Sequence, residues 1–126
     1  MNNRFILWFT VVGTIGVLFG ILYAFFGLAV LPAPNFDSVP WGNGVYGATL
    51  IGFSVTILFV GRHAFQKNDA GLMKALLYGI FAWLIVEALF SIYYKVYSNV
   101  AVDATLMLIT GFPLIRGIRS LNKGKL

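Results

Sequence analysis

The chain has 126 residues, 60% of them hydrophobic and 10% charged, a net charge of +5 and a mean hydropathy of +0.87. So little polar surface cannot coat a soluble domain, and the composition describes a single membrane domain. The lack of cysteine excludes a disulfide framework and thiolate chemistry, and the basic residues flank apolar runs, where bilayer orientation explains them without nucleic acid.

Residues 5–31 carry no charge and would rise about 40 Å as a helix, enough to cross a bilayer with tilt. Gly13, Gly16, Gly20 and Gly27, with Ala24 filling the gap, form a small-residue face that a neighbouring backbone can approach closely. The Gly16-x-x-x-Gly20 pair is expected to seat another helix of the same chain. Residues 32–43 hold three prolines and read as a stiff loop.

Residues 44–61 supply a second span, about 27 Å as a helix, with Gly44, Ala48 and Gly52 expected as its packing seam and Thr56 following at the next i+4 step. A polar connection follows from Arg62 to Lys74. Its His63 is a lone histidine in basic surroundings, without the partners that catalysis or metal binding would require.

Residues 75–94 form the third span, and Glu87 stands inside it. An ionised carboxylate facing lipid there would cost several kcal/mol, so Glu87 must face protein or water, or carry a proton. Glu87, Ser91 and Lys95 follow at i, i+4 and i+8 and climb one face of the helix. A short turn at 95–99 makes the third and fourth spans antiparallel neighbours, and the fourth covers 100–115. Asp103 then lies at the depth of Ser91, so that Glu87, Ser91, Lys95 and Asp103 make up the candidate intramembrane polar site. For Asp103 alone, a place in the first turn of its helix, favoured by the helix dipole, is a sufficient explanation. Pro113 is expected to kink the fourth helix, and the basic tail 116–126 to lie along anionic headgroups.

Arg4, Arg62, Lys67, Lys74, Arg116, Arg119, Lys123 and Lys125 fall on one side of such a topology and only Lys95 on the other. The positive-inside rule then makes the fold an all-α integral membrane four-helix bundle, up-down-up-down, with both termini cytoplasmic. Ala48-Thr49-Leu50 recurs as Ala104-Thr105-Leu106, and the same offset carries Gly61 onto Gly117.

No Ser/His/Asp arrangement, phosphate loop, HxxxH or CxxC is present, so no enzyme activity, metal or cofactor is expected. Two functions remain. One is a non-enzymatic scaffold or accessory subunit in a cell membrane, packing through glycine-lined faces against its own helices, a second copy or another membrane protein. The other is a small proton-coupled transporter or pore in which Glu87 binds a proton or cation.

Overall fold

A computed structural model of the chain describes residues 2–26 and 40–123. Its elements are α1 (Asn2–Phe26), α2 (Pro40–Thr56), a π-helical turn (Ile57–Gly61), α3 (Arg62–Gln66), α4 (Ala70–Tyr93) and α5 (Tyr97–Lys123). Among the described residues, four helices are long and apolar enough to cross a membrane: Asn3–Phe26, Gly44–Gln66, Ala70–Tyr93 and Tyr97–Lys123. The chain divides into two units at Arg62 and His63.

In the first unit α1 and α2 run antiparallel along a seam of small residues. Gly13 faces Leu58, Gly16 faces Ser54, Gly20 faces Ile51, and Ala24 faces Gly47. A Cβ added at Gly13 would lie 2.6 Å from Leu58 Cβ, and one at Gly47 would lie 2.6 Å from Ala24 Cβ, so the two backbones approach as only glycine permits. Phe9, fully buried, lies against Gly61 in the π-helical turn. Gly27 lies outside the described residues.

Gly44, Ala48 and Gly52 do not line this seam. The space beside Gly44 and Gly52 is open, and Ala48 and Thr56 are exposed. The reason is helical geometry: strict i+4 steps rotate about 40° around the axis at each step, whereas alternating steps of four and three hold a nearly straight line. Gly47, Ile51, Ser54, Leu58 and Gly61 follow the second pattern. Helix α2 also starts earlier than the proline content suggests, at Pro40, because proline is tolerated in a first turn where its missing N–H has no partner to lose.

In the second unit the expected polar connection from Arg62 to Lys74 shrinks to residues 67–69. Helix α3 ends in a Schellman motif: the Asp69 N–H donates to Ala64 O at 3.0 Å and the Asn68 N–H to Phe65 O at 3.4 Å, with Asn68 left-handed at φ 53°. Asp69 then caps the next helix, its Oδ1 accepting the Leu72 N–H at 3.0 Å, and α4 begins at once. One residue closes one helix and opens the next.

The same motif closes α4. The Val96 N–H donates to Ser91 O at 2.8 Å and the Lys95 N–H to Ile92 O at 3.0 Å, with Lys95 at φ 60°. Helix α5 starts at Tyr97 and continues to Lys123, well past the expected end at Ile115, and its helix is unbroken through Pro113. Charge ends an apolar run without ending a helix. Gly117 and Ile118 are buried, and a Cβ at Gly117 would meet Phe65 Cε1 at 2.7 Å and Met73 Sδ at 2.9 Å. Residues 116–123 are therefore a packed continuation of the helix rather than a separate tail. Met73, Leu77, Ile80 and Leu84 on α4, with Leu114 and Ile118 on α5, form the apolar core of this hairpin.

The offset that relates Ala48-Thr49-Leu50 to Ala104-Thr105-Leu106 also carries Ser54 onto Thr110, Leu58 onto Leu114 and Gly61 onto Gly117. Each hairpin thus turns the same positions of its second helix inward. Elsewhere large apolar side chains are exposed, among them Val11, Ile15, Leu18, Val86, Leu89 and Leu108, a surface suited to lipid rather than water. Hydroxyls on the exposed faces are satisfied within their own helices, Thr49 donating to Val45 O, Thr56 to Gly52 O and Thr105 to Ala101 O.

Candidate polar site in the last hairpin

The site is built by the turn at Lys95. Closing α4 with a Schellman motif returns the chain so tightly that the first turns of α5 lie against the last turns of α4. Glu87 and Asp103 each sit about 9 Å in from the helix end nearest the turn, at the 1.5 Å rise of an α-helix, and so at one depth.

Asn99 joins them. Its Nδ2 lies 2.9 Å from Ser91 Oγ, 3.3 Å from Glu87 Oε1 and 3.4 Å from Asp103 Oδ2. An amide nitrogen carries only two hydrogens, so three oxygens must share them. The short bond to Ser91 takes one, and the two longer contacts to the carboxyl groups divide the other. Ser91 in turn donates its hydroxyl to Glu87 O at 2.9 Å, which leaves its oxygen free to accept from Asn99. Asp103 and Ser91 are buried, at 3% and 8% exposure, while Glu87 and Asn99 are half-buried.

Three of the four expected site residues thus meet around one amide. Lys95 is not among them. It occupies the left-handed position of the turn with its side chain exposed, and Asn99 supplies the hydrogens. The sequence places Asn99 at the end of a turn, whereas it stands in the first turn of α5. The signal that could have found it is its place four residues before Asp103, the same spacing that ties Glu87 to Ser91.

The comparison between the hairpins gives the site a location in the architecture. The offset that superposes the inner face of α2 on that of α5 carries Gly47 onto Asp103. In the first hairpin Gly47 makes the closest backbone approach, against Ala24. At the corresponding place the second hairpin holds a carboxyl group and the polar side chains around Asn99. Among the described residues no cluster of three or more His, Cys, Asp or Glu side chains is placed to hold a metal ion.

Chemically, the arrangement can pin two helices together by hydrogen bonds in an apolar medium. No protein-family model, curated protein or solved structure matches the chain.

Proposed function

We propose that the protein is an integral membrane scaffold or accessory subunit without enzymatic activity, an up-down-up-down four-helix bundle with both termini on the cytoplasmic side. The observation that carries this reading is the use of Asn99. Its amide bonds across from α5 to Ser91 and Glu87 on α4, so the polar groups are engaged in holding one hairpin closed. Interhelical hydrogen bonds of this kind contribute about 1 kcal/mol each in a membrane, a packing-sized effect. The close seam between α1 and α2 supports the same role, because the backbone contact there needs no ligand.

A second reading, a proton-coupled carrier or pore, is favoured by one observation: Glu87 and Asp103 both lie against the same amide nitrogen. Two carboxylates so placed inside a membrane repel, and holding one proton between them relieves that repulsion. Glu87 and Asp103 would be the proton site and Ser91 and Asn99 the polar path to the turn.

Extraction of the protein with its surrounding lipid, followed by native mass measurement, tests the scaffold reading. A defined complex with a different membrane polypeptide or a second copy supports it, and a monomer in every preparation counts against it. Glu87→Gln separates the two readings. A pH-driven flux in vesicles that is lost in this variant, with abundance and melting temperature unchanged, would overturn the scaffold reading in favour of the carrier.

A further inference from the structure

The end of the second unit opposite the polar site gathers basic residues that the sequence scatters between a loop and a tail. Arg116, Arg119 and Lys123 follow at i, i+3 and i+7 and form one stripe of α5. All three are exposed, and Gly117 and Ile118 on the other side of the helix are buried. Gly117 is fixed against Phe65 and Met73, so this stretch of α5 is anchored beside the turn that joins α3 to α4. The antiparallel register that sets Gly117 against Met73 and Asn99 against Ser91 places Arg116 level with Lys74, and the contact of Gly117 with Phe65 brings the turn that carries Lys67 to the same end of α5. Lys67 and Lys74 are exposed as well.

Against these five cations stands one acid at this end, Asp69, whose carboxylate is engaged in capping α4. The other acids of the unit, Glu87 and Asp103, belong to the far end of the hairpin. Cations brought together without counter-charges attract anions, and at the end of a membrane-spanning hairpin the abundant anions are lipid phosphates.

The geometry points to a binding face for the headgroups of anionic phospholipids, formed by Lys67, Lys74, Arg116, Arg119 and Lys123. It rests on the chain's membrane location and is independent of what the polar site does. A helix that continues past the apolar core and is packed against the turn holds its guanidinium and ammonium groups at headgroup level in a fixed pattern. A flexible tail would only hover near the surface.

The test is lipid retention by the full chain. The protein is equilibrated in mixed micelles with equal amounts of phosphatidylglycerol and phosphatidylcholine of matched acyl chains, and bound lipid is counted by native mass spectrometry. The wild type is expected to retain phosphatidylglycerol at least ten-fold over phosphatidylcholine. The preference should fall about five-fold for each cation neutralised, as in Arg119→Gln and Lys123→Gln, and should weaken at high salt. Lys95→Gln, at the other end of α4, should leave it unchanged. Equal retention of the two lipids by the wild type would overturn the proposal. So would a preference that survives R116Q/R119Q/K123Q, or one lost equally in Lys95→Gln. Should the triple variant fail to fold, the single variants decide by the same criterion.

Discussion

Adding one methyl group at different glycines should move stability in opposite directions. Glycine costs roughly 1 kcal/mol relative to alanine inside a helix, so a Gly→Ala change with room for the methyl is stabilising by up to that amount. Gly52 has such room, with no atom beyond its neighbours and its own turn of helix within 4 Å of the added Cβ. At Gly47 the same methyl would stand 2.6 Å from Ala24 Cβ and 2.7 Å from Ala24 Cα. Neither can rotate away, so α1 and α2 must separate along their seam. Overpacking of this kind costs about 1–3 kcal/mol, and contact with backbone rather than a flexible side chain places Gly47 in the upper part of that range. Subtracting the propensity gain leaves Gly47→Ala about 1–2 kcal/mol less stable than the wild type. The two variants should thus differ by about 2–3 kcal/mol with Gly52→Ala the more stable. Thermal or denaturant unfolding in a mild detergent, followed by circular dichroism, measures the difference. Gly47→Ala at wild-type stability or above would refute the close seam.

The hairpin turns supply further predictions. Lys95 has a left-handed backbone, φ 60°, which costs a side chain about 1 kcal/mol that glycine does not pay. Lys95→Gly should therefore raise the unfolding free energy by about 0.5–1 kcal/mol, and Lys95→Val should lower it; a stabilised valine variant would contradict the turn geometry. Asp69→Ala removes the acceptor for the Leu72 N–H and should cost about 1 kcal/mol, while Asp69→Ser, which can still cap, should recover most of it in the same unfolding assay.

Hydropathy located the four helices that are long and apolar enough to cross a membrane, because a helix that faces lipid must be apolar over a bilayer thickness and few other structures are. It placed the helix ends poorly, since ends are decided by local hydrogen bonding. Asn68 and Lys95 take the left-handed positions that glycine would have advertised, and α4, capped by Asp69, begins five residues before the apolar run at 75. Arg116 interrupted the hydropathy of α5 while its helix continued, with Gly117 and Ile118 still buried. The face of α1 that carries Gly13, Gly16 and Gly20 was legible from its small residues. That of α2 was misread along an i+4 column, because the column winds away from a straight neighbour. Within the polar site, Glu87, Ser91 and Asp103 were legible as polar residues in apolar runs; Asn99 was not, because the polar start of α5 from Tyr97 to Asn99 resembles a turn.

The brevity of the turn at Lys95 bears on how the chain enters its membrane. Of the four candidate spans α5 is the least apolar, and it carries Asp103. Inserted alone it would expose a bare carboxyl group to hydrocarbon. Joined to α4 by a three-residue turn, it would partition as half of a helical hairpin, in which Asn99 lies beside both Ser91 and the acid once the hairpin is folded. In a membrane such a turn would couple the insertion of the less apolar helix to that of a strongly apolar one, and lengthening it should show first as failure of α5 to enter the bilayer.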